Sequence, residues 1–217
     1  MSKPNVHQKT ILSLLSDSKA DFLIPDYQRP YAWNQDQCQT LWDDLVNFTI
    51  PGGNHEKFDS KKDEYFLGSI VAFQENEKHE IIDGQQRLTT FMLILRAFHK
   101  EFKNRQDDKG TNIRKNIEKC IWKYDEFENP SKDELKITSE VAGDDDKDEF
   151  LSILKNGNAP KEYKSQYAEN FRFFENKIQE MRNYNSANNQ YIVTRLLKNC
   201  AVLFVEAETQ DSALRIF

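Results

Sequence analysis

A chain of 217 residues with 38% hydrophobic, 30% charged and 12% aromatic residues is too apolar and too rich in rings to stay disordered, and it can bury a real core. A formal net charge of −6 excludes a dedicated nucleic-acid-coating domain, so any such contact must be local. The three cysteines, Cys38, Cys120 and Cys200, form no C-x-x-C pair, and the four histidines show no ligand spacing, which argues against a disulfide framework or a zinc site.

The first expected element is an amphipathic helix over residues 6–16. Asp21 to Ile24 reads as a short strand that Pro25 ends, because proline has no N–H for a ladder. Asn34 caps the next helix, with Gln37 three positions on completing a capping box, and Leu41, Trp42, Leu45, Val46 and Phe48 form its apolar face. A loop runs from Pro51 to Asp63. Tyr65 to Phe73 and His79 to Ile82 read as a hairpin joined by a turn at Glu75 to Lys78.

A long helix then starts at Asp83-Gly84-Gln85-Gln86-Arg87, with Leu88, Phe91, Met92, Leu95, Phe98 and Phe102 on one stripe. Residues 112–125 read as helix and Leu135 to Thr138 as a short strand. The apolar residues around Phe150, between Tyr167 and Met181, and from Ile192 to Leu197 mark three more helices. Ala201 to Val205 reads as a buried strand returning to the sheet. Residues 96–123 carry nine Lys or Arg against four Asp or Glu, a run read as a solvated helical face. The apolar pattern Ala213, Leu214, Ile216, Phe217 stops unfinished, so a truncated chain is expected. With reduced thiols and no apolar run of signal or membrane length, a cytoplasmic protein with no membrane partner is expected.

Two constellations have the composition of a binding site. In the first, Asp83-Gly84-Gln85-Gln86-Arg87-Leu88-Thr89-Thr90 joins a strand to a helix. The first N–H groups of a helix lack partners and carry partial positive charge, which suits an anion. Arg87 in the first turn can pair with a phosphate, Thr89 and Thr90 can add hydroxyls, and Asp83 can hold a metal ion or orient a water. The same residues also read as a capping box, Asp83 as N-cap and Gln86 as its partner, and spacing leaves both readings open. There is no G-x-x-x-x-G-K sequence, which excludes a P-loop. The second constellation, Ile24-Pro25-Asp26-Tyr27-Gln28-Arg29-Pro30-Tyr31-Ala32-Trp33, offers aromatic faces and a guanidinium that can hold a base, ribose or phosphate. It reads equally as a loop fastened by aromatic packing. If both are sites, they should share one pocket.

Together the two stretches resemble the N-terminal domain family of the GmrSD restriction endonucleases, which is similar in fold to ParB and sulfiredoxin. The likeness extends through Leu67-Gly68-Ser69-Ile70 and, more loosely, to Ala213-Leu214-Arg215-Ile216-Phe217. It implies an α+β fold: a small mixed ParB/sulfiredoxin-like sheet with a large helical elaboration. Residues 1–104 would form the nucleotide-binding core and 105–217 a mostly helical part with a returning strand near 201–207, in one continuous domain. It further implies a nucleoside triphosphate and Mg²⁺ as ligands. Asp83 and Arg87 would be the catalytic residues, with Asp83 at the metal. Tyr27, Gln28, Arg29, Tyr31, Trp33, Gly84, Gln85, Gln86, Thr89 and Thr90 would be binding residues. Nucleotide hydrolysis in this family gates cleavage of modified phage DNA by a separate His-Asn-His nuclease domain or subunit. The alternatives are a ParB-like nicking nuclease and a non-catalytic sensor of modified DNA. Asp145-x-Lys147, a superficial match to a metal-nuclease pattern, sits in a polar loop, and the chain alone is not expected to cut DNA.

Overall fold

A computed structural model describes residues 4–216, so Phe217 lies outside the described residues. The chain begins with a strand, β1 (Asn5–Thr10), followed by a short helix, α1 (Ile11–Leu15). The expected helix over 6–16 is therefore corrected in its first half. Its apolar periodicity came only from Ile11, Leu12, Leu14 and Leu15, and the Thr10 side chain accepts from Ser13 N to start the helix there. The residues before Thr10 instead pair along the sheet edge.

β2 (Phe22–Ile24) and α2 (Gln35–Thr49) follow, the latter opened by the Asn34–Gln37 capping box. β3 (Tyr65–Glu75) and β4 (Lys78–Asp83) form the hairpin, turning through Asn76 and Glu77, both at positive φ. α3 (Gln85–Phe102) is buried on every side from Leu88 through His99, not along one stripe. It is the hub of the helical layer, packed against α4 (Asp108–Ile121), α5 (Lys147–Asn156), α6 (Gln166–Tyr184) and α7 (Asn188–Asn199). The segment expected as one helix over 112–125 ends at Ile121, where β5 (Trp122–Tyr124) begins and pairs with β6 (Pro130–Leu135). The strand expected over 135–138 is divided at Lys136, and β7 (Ile137–Ser139) joins the main sheet.

β8 (Cys200–Ala207) enters the sheet between β1 and β3, and α8 (Gln210–Leu214) follows. The sheet order is β1-β8-β3-β4-β2-β7, with β1–β8 and β3–β4 antiparallel and the other pairs parallel. The fold is thus α+β with a mixed sheet and a large helical layer. One hydrophobic core runs from Ile11 to Phe204 on the helical side, while Val71, Phe73, Ile82, Val205, Ala207 and Ala213 form a smaller cluster under α8. Cys38, Cys120 and Cys200 are free and buried in the larger core. No described helix is long and apolar enough to cross a membrane.

Two irregularities in the sheet shape what lies above it. Phe66 pairs with Ala201 and Ser69 with Leu203, so β3 carries one extra residue at Leu67–Gly68. Val71 pairs with Asp83 and Ala72 with Ile81, so β4 carries one extra residue at Ile82. A bulge takes backbone groups out of the ladder and re-aims them. Both bulges border the start of α3.

Candidate functional site

Gly84 is the N-cap of α3, at φ 90°, and no side chain caps the helix. This removes the capping-box reading of Asp83 and Gln86. A Cβ on Gly84 would lie 3.0 Å from the Ser69 carbonyl oxygen, so the turn closes on β3 only because the residue is glycine. Leu88 N bonds back to the Gly84 carbonyl, and the N–H groups of Gln85, Gln86 and Arg87 precede the first helical bond.

Gln86 reaches across to the aromatic loop. Its Nε2 donates to the Pro30 carbonyl at 3.1 Å, and its Oε1 accepts from Ala32 N at 2.8 Å. Gln28 reaches in the opposite direction, donating from Nε2 to the carbonyls of Ile81 at 3.1 Å and Ile82 at 2.9 Å, beside the β4 bulge. Each motif therefore clamps the backbone of the other. Around this joint is a cleft of about 560 Å³ lined by Gln28, Arg29, Trp33, Ile82 and the stretch Asp83 to Arg87.

Arg87 is anchored over the β3 bulge. Its Nη2 donates to the Ser69 carbonyl at 2.7 Å and its Nη1 to the Leu67 carbonyl at 3.4 Å, and Asp83 Oδ2 lies 3.4 Å from Nη2. A guanidinium has five N–H donors, so this anchoring leaves donors for a ligand. The Arg87 and Asp83 side chains are each about 30% exposed, at 30% and 29%. Arg29 is exposed at the cleft and makes no ion pair or hydrogen bond among the described residues. The cleft therefore combines a free guanidinium, an anchored one and an uncapped helix start, opposed by one carboxylate.

Not every residue of the two motifs reaches this cleft. Tyr31 is buried, and its hydroxyl bonds to Thr90 Oγ1 at 2.8 Å while its ring stacks on Tyr167. Thr90 also donates to the Gln86 carbonyl, and Thr89 is buried. Tyr31 and Thr90 fasten the loop to the helical layer, and none of the three residues lines the cleft; a helix as enclosed as α3 turns its second-turn residues into the core. Tyr27 is about half exposed, at 48%, and lies outside the lining. Trp33 is half-buried and does line it.

Two supporting residues had not been singled out from sequence. Asn170 on α6, fully buried, donates from Nδ2 to the Trp33 carbonyl at 2.7 Å and the Tyr31 hydroxyl at 3.0 Å. Nothing in its local sequence distinguishes it from any other helical Asn. Gly68 lies directly under the Arg87 guanidinium, and a glycine inside a strand pattern was the one available signal of a bulge there. Arg96, at the head of the basic run, is also no solvated charge: it is buried, and its Nε donates to the Leu154 carbonyl at 2.7 Å.

No group of three or more His, Cys, Asp or Glu side chains among the described residues could hold a metal by itself. Asp83 is the only carboxylate in the cleft's lining. That donor set fits a Mg²⁺ ion carried in by phosphates, which takes one or two protein carboxylates and keeps its waters, and does not fit a resident ion.

The family model described as the GmrSD restriction endonuclease, N-terminal domain, matches residues 11–217. No curated protein matches the chain. With both motifs inside the matched span and essentially the whole chain covered, the protein belongs to the GmrSD restriction endonuclease N-terminal domain family.

Proposed function

We propose that the cleft binds a nucleoside triphosphate with Mg²⁺ and hydrolyses it, as the regulatory domain of a restriction system acting on modified phage DNA through a nuclease domain or subunit. Family membership supports the restriction and phage-defence setting. The observation that carries the nucleotide reading is the convergence of Arg29, Arg87 and the uncapped start of α3 on one cleft beside a single carboxylate. Polyanionic phosphate is the ligand that such a set of donors suits.

In this reading the N–H groups of Gln85 to Arg87 and the free donors of Arg87 hold the phosphates. Arg29 closes over them from the loop. Mg²⁺ would supply neutralisation of phosphate charge, with Asp83 as its protein contact. The Asp83 carboxylate also accepts a hydrogen bond from the attacking water and orients it. Gln28 and Gln86 line the cleft and keep its two halves in register.

The test is phosphate release from each of the four ribonucleoside triphosphates, with and without Mg²⁺. The expected result is slow, Mg²⁺-dependent release that Asp83→Asn abolishes while triphosphate still binds. Release that persists in Asp83→Asn would remove the role given to that carboxylate.

A further inference from the structure

A second hollow, of about 310 Å³, shares Trp33 and Arg87 with the first cleft, so these two side chains form the partition between them. Its apolar walls are Trp33, Leu41, Tyr65, Phe66, Leu67 and Phe91. Besides the Arg87 guanidinium in the partition, its polar groups are Gln37, Thr40 and Asp44, from one face of α2 at spacings of three and four residues. Phe66, 58% exposed, stands on β3 beside the bulge that anchors Arg87.

The hydrogen-bonding state of these polar groups decides what they can read. Asp44 Oδ2 accepts from the Tyr65 hydroxyl at 3.1 Å, and among the described residues no cation pairs with Asp44. Gln37 Oε1 is taken by Asn34 N in the capping box, which leaves its amide hydrogens as the free end. Thr40 donates to the Asp36 carbonyl. The hollow thus presents aromatic faces, an unpaired carboxylate and an amide donor, next door to a phosphate-type cleft.

We propose that this annex receives the base of the nucleotide and that Asp44 makes it select guanine. The proposal rests on the nucleotide reading of the first cleft. Aromatic walls accept any base by stacking, so selection must come from the polar edge. A carboxylate recognises two adjacent N–H donors best, and guanine offers its ring N1–H beside its 2-amino group. The Gln37 amide supplies a donor for the neighbouring O6. Adenine and cytosine offer one amino group beside a ring acceptor, which faces the carboxylate unfavourably. Uracil flanks its single N–H with two carbonyls and is the poorest match.

The experiment is calorimetric titration of the purified chain with the Mg²⁺ complexes of GTP, ATP, CTP and UTP, and with inorganic triphosphate as a probe that has no base. Asp44→Asn and Phe66→Ala are titrated alongside, after thermal melts establish that they fold. GTP is expected to bind at least about tenfold more tightly than UTP, a difference of about 1.4 kcal/mol. Asp44→Asn should erase that preference, and Phe66→Ala should weaken all four nucleotides while inorganic triphosphate binds as before. Equal binding of GTP and UTP, or a preference that survives in Asp44→Asn, overturns the annex while binding of inorganic triphosphate still upholds the phosphate cleft. Failure of inorganic triphosphate and of every nucleotide to bind removes the nucleotide reading itself.

Discussion

The Arg87 guanidinium occupies the space that a side chain at position 68 would need, because a Cβ built on Gly68 would overlap Nη1. Gly68 is also at φ 101°, a conformation that other residues rarely adopt. Gly68→Ala should therefore do two things at once. It should destabilise the fold by about 1–3 kcal/mol through backbone strain and displaced packing, and it should weaken triphosphate binding by unseating Arg87. Denaturant titration and calorimetry on the same preparation check both; an alanine variant of wild-type stability would show that the bulge tolerates a side chain.

Arg87→Ala has a structural as well as a ligand cost. Without the guanidinium, the Ser69 and Leu67 carbonyls lose their side-chain donors. Loss of those hydrogen bonds should cost about 1–3 kcal/mol of stability, in contrast to the neutral effect expected for an exposed first-turn arginine. Triphosphate affinity should fall by about tenfold to a hundredfold. Arg87→Lys keeps the charge but not the fork, so it should restore only part of either loss. Full rescue by lysine would mean that charge alone matters at this position.

Asn170→Ala tests the anchoring of the aromatic loop from the helical layer. It removes the donor to the Trp33 carbonyl and the Tyr31 hydroxyl at a fully buried position. A loss of about 1–3 kcal/mol is expected. Since Trp33 lines the cleft, nucleotide affinity should drop as well, although Asn170 lies outside the lining. Hydrogen exchange at residues 28–33 should rise in the variant. Unchanged exchange there would place the fastening of the loop elsewhere.

A pH dependence follows from a buried histidine beside a buried arginine. His99 Nδ1 lies 3.0 Å from Arg96 Nη1, and arginine can only donate, so Nδ1 accepts and the ring is neutral. Its Nε2–H then donates to Glu118 Oε1 at 3.1 Å. Burial, first, and the Arg96 charge hold His99 below the usual imidazole range, against the pull of Glu118. In the unfolded chain the same ring titrates near about 6.5, so below that pH the unfolded state takes up a proton that the folded state refuses. Stability is therefore full above about 6.5 and falls as the pH drops toward the folded value. Denaturation midpoints measured from pH 7.5 to 5 should show this decline, and His99→Gln should flatten it. An unaltered slope in the variant would assign the dependence to other groups.

Much of the chain was legible because its local signals agree with its tertiary placement. Asn34 and Gln37 form the capping box that their spacing announced, and β3 and β4 pair through the turn placed between them. The two motifs meet in one cleft, which composition alone could not show; the reciprocal bonds of Gln28 and Gln86 and the Tyr31–Thr90 bond bring them together. Other features were hidden for physical reasons. Thr90 and Tyr31 bond to each other across 59 residues, so nothing local distinguishes a hydroxyl facing a ligand from one facing the core. Arg96 looks solvated in the sequence because its acceptors are backbone carbonyls and a neutral histidine ring, which leave no trace in charge patterning. β1 was read as helix because the pairing that decides it lies nearly two hundred residues away, on β8.

In the proposed function Arg29, Arg87 and the start of α3 form one anion cradle for a triphosphate, and binding tests that cradle most directly. Calorimetric titration of the wild-type chain, Arg29→Ala and Arg87→Ala with Mg²⁺-triphosphates measures all three on one scale. Arg29 has no partner among the described residues, so Arg29→Ala should keep wild-type stability while losing at least about tenfold in affinity. Arg87→Ala should lose as much or more. Wild-type affinity in both variants, or no binding of any triphosphate by the unaltered chain, would contradict the account.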